Sequence, residues 1–143
     1  PFEILLLGHK LTNDNGVLVI QVPNDFSKVQ EYLLKAKKID KPFWVQLPDH
    51  LSYFNREGLV NICKSAGWVD SKIITDYPID FSLFIEETNY VMNKSIGPSV
   101  HHSRIEIENL LHSISIDKVV KYYEAMADLG IGRQIIGFFK KQS

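Results

Sequence analysis

The sequence predicts an α/β fold built as one domain over residues 1–143, and three observations carry that prediction. Val17-Leu18-Val19-Ile20-Gln21-Val22 is a short, β-rich, nearly continuous apolar run. Such a run is the pattern of a strand buried on both faces beneath helices. Helix signals alternate with runs of this kind instead of segregating from them, which is the mark of a mixed layer architecture. A last run, Gln134-Ile135-Ile136-Gly137-Phe138-Phe139, reads as a terminal strand with a lysine-rich end.

Each element has its own local reason. Pro1 suits the first turn of a helix, where its missing N–H costs nothing, and Phe2, Ile4, Leu5, Leu6 and Leu7 follow it. Asn15-Gly16 is a tight-turn dipeptide before the first strand, residues 17–22. Pro23 stops that strand. Asn24, Asp25 and Ser27 then offer side-chain oxygens to cap a helix over 28–37, with Val29, Tyr32, Leu33 and Leu34 on its apolar stripe. Residues 39–48 read as extended, with Pro42 and Pro48 as breakers. Asn55 caps an amphipathic helix over 56–66, and Gly67 fits the left-handed position beyond its end. Residues 68–75 form the second strand. Residues 79–100 are ambiguous between strand and helix, with a loop over 93–99 around Gly97-Pro98. Ser103 is the expected cap of one helix and Asp117 of another over 118–129, which Gly130 and Gly132 stop. The third strand is placed at 133–140.

Composition narrows the function classes. Hydrophobic residues make up 45% and charged residues 23% of the chain, which is ordinary for a soluble globular protein. The net charge is -1, from 16 basic and 17 acidic residues, which argues against a nucleic-acid partner, since such a partner requires a basic face. No apolar run approaches the roughly 20 residues of a membrane span, so no membrane partner is expected. The single cysteine, Cys63, excludes an internal disulfide and fits a reducing, cytoplasmic setting. It lies on an apolar helix stripe and reads as a small buried hydrophobe. No Cys/His spacing suits zinc, and rings on the adjacent pair His101-His102 diverge. No phosphate-binding glycine loop is present, since Gly130-Ile131-Gly132 precedes a strand.

Two loops remain as candidate sites. Pro23-Asn24-Asp25-Phe26-Ser27 follows the carboxyl end of the first strand, where ligands bind in open α/β sheets. The same Asp25 and Ser27 could equally cap the next helix. Pro48-Asp49-His50-Leu51-Ser52-Tyr53-Phe54 gathers an acid, an imidazole, hydroxyls and aromatic rings. Histidine is the side chain best suited to general-base work near neutral pH, which makes His50 the catalytic candidate. Tyr53 can donate a hydrogen bond, and Phe54 can wall a pocket. A structural histidine beside core aromatics is the competing reading.

In order and spacing, "NGVLVIQVPNDFS", "PDHLSYFNREGLVNICKSAGW" and the terminal "GRQIIGFFKK" resemble the C-terminal half of class I S-adenosylmethionine-dependent methyltransferases of the small-molecule branch. The likeness covers most of residues 1–78 and 132–141, with Trp68 where the family motif has Phe. It implies a partial Rossmann-like sheet flanked by helices, whose last strand runs antiparallel beside its neighbours. Residues 79–131 would be a mostly helical insertion that sets acceptor specificity. It also implies that the glycine-rich cofactor loop and the ribose-binding acid precede Pro1, so that this stretch alone is inactive and its cofactor-binding residues are unknown. The chain begins without an initiator methionine, as expected of a piece of a longer protein.

The implied chemistry is displacement of a methyl group from a sulfonium by a nucleophile on a small-molecule or carbohydrate-like acceptor, driven mainly by alignment. Asn24, Asp25, Tyr53 and Phe54 would contact that acceptor, His50 would take its proton, and Arg104, with His101 or His102, would hold an anionic group. A half-sheet exposes an apolar edge, which predicts an edge-to-edge homodimer or a missing partner half. The rival reading is a non-catalytic α/β binding or interaction domain. It is distinguished by whether Asn24 and His50 meet around an open cleft.

Overall fold

The computed structural model describes residues 1–141. Its elements are α1 (Phe2–Leu11), β1 (Val17–Pro23), α2 (Lys28–Lys35), α3 (Arg56–Ser65), β2 (Trp68–Thr75), α4 (Gly97–Ile114), α5 (Ile116–Asp128) and β3 (Gln134–Lys141). Three short 3-10 turns lie between β2 and α4. The stretch after β2 is thus mostly helical, as the sequence predicts.

The three strands form one sheet in the order β1-β3-β2. β3 runs antiparallel to both neighbours, so β1 and β2 are parallel to each other. Opposed residues in a sheet share a face. Leu18 faces Phe139, Ile20 faces Gly137, and Val22 faces Ile135, placing six residues over the main core. That core is completed by Leu5 of α1, Leu59, Val60 and Cys63 of α3, and Trp68 and Ile73 of β2. The Trp68 indole N–H donates to the Leu5 carbonyl at 3.1 Å and so pins α1 to the sheet. The Phe139 ring lies over Gly137, where a Cβ would come within 2.4 Å of it.

β1 is not buried on both faces, contrary to the reading of its apolar run. Val17 and Val19 are 49% and 55% exposed. Ile74, Ile136 and Phe138, which share their face by register, are only half-buried. The cause is coverage: α1 and α3 pack on one face, α5 packs against β2 and is tied to the other face by the Lys72–Glu124 pair, and no strand pairs with the free edge of β1 among the described residues.

A second core forms between α2 and the irregular segment that follows it. Leu33, Val29, Ile39, Trp44 and Leu83 are buried there against Phe43, Tyr90 and Ile131. Residues 39–48 are therefore turns wrapped on α2, not an extended segment. The carboxamide of Asn89 ties this wrap together by donating to the carbonyls of Lys38 and Leu83.

The capping residues follow the sequence in part. Ser27 closes a reciprocal capping box with Gln30, and the Asn55 side chain accepts from the Gly58 N–H. Gly67 has φ +86°, as a helix end requires. Three expectations fail. Gly97-Pro98 opens α4 instead of forming a loop, because proline is tolerated in a first turn. Ser103 then lies inside α4 and caps nothing. Ser115, not Asp117, caps α5 by accepting from the Lys118 N–H. No helix among the described residues is long and apolar enough to cross a membrane.

Candidate functional site

The carboxyl ends of β1 and β2 meet the start of β3 at one edge of the sheet, and the polar groups converge there. β2 ends at Thr75, and Asp76 follows. One carboxylate oxygen of Asp76 accepts the N–H of Arg133 at 2.7 Å and of Gln134 at 2.9 Å. The Thr75 hydroxyl donates to the Gln134 carbonyl at 2.6 Å. These bonds fix where β3 begins and hence where Arg133 stands. Burial pushes the Asp76 carboxyl above its ordinary value, against the pull of the two backbone N–H groups.

The loop after β1 is locked in the same way. Asn24 is buried, and its carboxamide donates to the Gly132 carbonyl at 3.0 Å, with Gly130 at 3.5 Å. Its own N–H donates to the Arg133 carbonyl. Asn24 is therefore a brace between loops and does not open onto a cleft with His50. Asp25 is buried and donates its backbone N–H to the Phe54 carbonyl at 2.7 Å. Burial raises its carboxyl pKa, and the nearby charges of Arg133 and His50 pull it part of the way back. So Asp25, His50 and Arg133 share one electrostatic neighbourhood although they come from three distant segments.

Aromatic rings wall this neighbourhood. Phe26 meets Trp44 and Tyr53 edge-on, with ring centroids 5.7 Å and 6.1 Å away. His50 lies 6.1 Å from Tyr53, whose hydroxyl accepts the Gln46 N–H. The Arg133 guanidinium sits over the Phe43 ring at 4.7 Å. Phe54 departs from its expected place. It packs toward the main core beside Ile4, Leu5, Ile20 and Leu59, because the chain turns inward to start α3. Only its backbone reaches Asp25.

A cleft of about 520 Å³ opens at this edge, on the sheet face that α1 and α3 leave bare. It is lined by Gln21, Gln134 and Asp76 from the sheet, Ile79, His101 and Arg104 from the insertion, and Arg133. Arg104 thus reaches the site by tertiary folding, and His101 comes with it; the His101 ring also lies 5.2 Å from that of Tyr90. His102 is exposed and pairs with Glu106 instead. Beneath the cleft, the buried Asp80 accepts from the Tyr90 hydroxyl at 3.0 Å and faces Arg133 at 3.7 Å. Burial, with the Asp80 charge beside it, raises the Tyr90 phenol well above its ordinary pKa.

Sequence reasoning missed Arg133, Tyr90, Asp80 and Asp76. Asp76 was open to the rule applied to Asp25, since both follow the carboxyl end of a strand. Arg133, Tyr90 and Asp80 carry no local signal. A second hollow, about 250 Å³, lies at the starts of α2 and α3. Most of its charged groups are matched, Arg56 with Asp128 at 2.8 Å and Lys28 with Glu31 at 3.6 Å, whereas the larger cleft gathers two arginines, so the larger cleft is the better site.

The start of α2 offers little to a cofactor. Ser27 and Gln30 satisfy each other's N–H groups, and the Lys28 N–H is taken by the Gly130 carbonyl. No group of three or more His, Cys, Asp or Glu positioned to hold a metal ion occurs among the described residues. A scan against protein-family models, a search of curated proteins and a search of solved structures each found no match to this chain.

Proposed function

We propose that this chain is the acceptor-binding, C-terminal part of an S-adenosylmethionine-dependent methyltransferase that acts on a small-molecule or carbohydrate-like acceptor. The observation that carries the reading is the sheet. Its last strand is inserted antiparallel between two parallel strands, and a polar cleft lies at their carboxyl ends. The family likeness of the β1 loop and of Leu59–Trp68 supports it from the sequence side. In this reading Gln21, Gln134 and Arg104 orient the acceptor. Asp25 and His50 do not line the cleft but adjoin it through Arg133, whose charge acts on Asp25 together with that of His50, and in this reading His50 receives the proton that the acceptor nucleophile gives up. The cofactor site belongs to residues outside this chain. The bare edge of β1 belongs to the same proposal: alone, the chain pairs there with a second copy. Light scattering checks this, with Val19→Lys expected to shift the mass toward monomer; a monomeric parent at high concentration would remove this part.

The experiment is calorimetric titration of S-adenosylhomocysteine into this chain and into the product extended upstream of Pro1. Binding by the extended product alone is expected. Binding by neither would discard the methyl-transfer reading. A non-catalytic binding domain is the second reading, and one observation favours it: Asn24 braces Gly130 and Gly132 and does not share a cleft with His50.

A further inference from the structure

We infer that the cleft at the sheet edge holds its ligand by an anionic oxygen group, a carboxylate or a phosphate, gripped between Arg104 and Arg133. This rests on the proposed acceptor cleft for its biological meaning, but its physical argument is separate. Both guanidinium groups line the cleft, one from the insertion and one from the start of β3. Each is only lightly engaged by protein. Arg133 meets Asp80 at 3.7 Å, which is beyond hydrogen-bond reach, and Arg104 meets Glu108 through one 3.4 Å contact. The Nε of Arg104 is buried with no hydrogen-bond partner.

The neighbouring carboxylates do not cancel this preference. Asp76 spends an oxygen on two backbone N–H groups, and Asp80 is shared between the Tyr90 hydroxyl and the Gln30 carboxamide. Arginine presents planar, forked donors that match carboxylate and phosphate oxygens, and it loses little hydration in doing so. The Phe43 ring holds one face of Arg133, which limits its rotamers before any ligand arrives. His101 and Gln134 add further donors at the rim. A volume of about 520 Å³ suits a ligand of monosaccharide size with room for water.

The test is titration of the 143-residue chain with inorganic phosphate, glucuronate and glucose at fixed ionic strength. The readout is the arginine Nε–H signals in nitrogen-edited NMR spectra. Saturable shifts at Arg104 and Arg133 with phosphate, glucuronate or both, and none with glucose, are expected; the two anions separate the phosphate source from the carboxylate source. Arg104→Gln should weaken binding by about tenfold or more, as loss of a charged hydrogen bond does. Arg56→Gln, away from the cleft, should leave binding unchanged. Arg133→Lys keeps the charge without the fork and should also weaken binding if it folds. Shifts that rise linearly without saturation, or binding that survives Arg104→Gln, would overturn the inference. Anion binding without S-adenosylhomocysteine binding by the extended product would leave the clamp standing and remove the methyl-transfer reading. The reverse pattern would remove the clamp alone.

Discussion

Gly132→Ala tests how the site is held. Gly132 has φ +111°, a conformation that residues with a side chain rarely adopt. An added Cβ would lie 1.6 Å from the Thr75 hydroxyl oxygen and 2.6 Å from its Cβ. Thr75 is buried and holds the Gln134 carbonyl, so it has nowhere to retreat. The backbone conformation contributes about 1–3 kcal/mol of destabilisation. Overpacking adds about 1–3 kcal/mol. The total is about 2–6 kcal/mol, a large part of the roughly 5–15 kcal/mol that holds a domain together. Urea unfolding followed by circular dichroism measures it. Thr75→Ala in the same chain removes the closest contact but not the backbone term, so it should recover only part of the loss, which a double-mutant cycle reads directly. A Gly132→Ala variant within about 0.5 kcal/mol of the parent would refute the reasoning, since that is the range of an ordinary surface substitution.

Three further outcomes follow from the same contacts. Asn24→Ala should cost about 1–3 kcal/mol in urea unfolding, because the carbonyls of Gly130 and Gly132 lose their buried donor. Asp76 binds its proton more tightly folded than unfolded, so its contribution favours the fold below its ordinary value of 3.8 and fades as pH rises through the raised pKa. Asp76→Asn keeps an oxygen for both backbone N–H groups, and should flatten that decline in unfolding free energy measured across pH; an unchanged slope would count against it. Burial pushes the Cys63 thiol up to about 11, so a disulfide reagent at pH 8 should modify it only at the rate of unfolding, and rapid labelling of the native chain would contradict its burial.

What could be read from the sequence was what is decided locally. Asn55, Gly67 and Ser27 act through neighbours a few residues away, so α2, α3 and their ends were legible. The apolar runs gave the strands nearly to the residue. They could not show that β1 is covered on one face only, because coverage depends on elements far along the chain. Gly97-Pro98 carries the same letters whether it breaks a loop or opens a helix, and the choice was settled by packing of the insertion. Of the candidates that stood out by residue type and position, Arg104 lines the cleft, while His50 and Asp25 lie beside it. Phe54 was misplaced because an aromatic ring before a helix can turn either way. Arg133 was invisible, since its role comes from Asp76, Phe43 and Asp80, none of which is near it in sequence.

The central place of β3 also sets the order in which the chain can fold as it is made. β1 is complete at residue 23, yet its partner strand begins at residue 134, and β2 depends on that strand too. At roughly 5–20 residues per second of synthesis, Val17–Pro23 leaves the ribosome on the order of 10 s before β3 can pair with it. A nascent chain stalled short of residue 134 would carry helices but no sheet, with its most aggregation-prone run uncovered. Codon usage over the final helix and strand, and access of holdase chaperones to the first thirty residues, should therefore govern the yield of soluble protein more than the stability of the finished fold does.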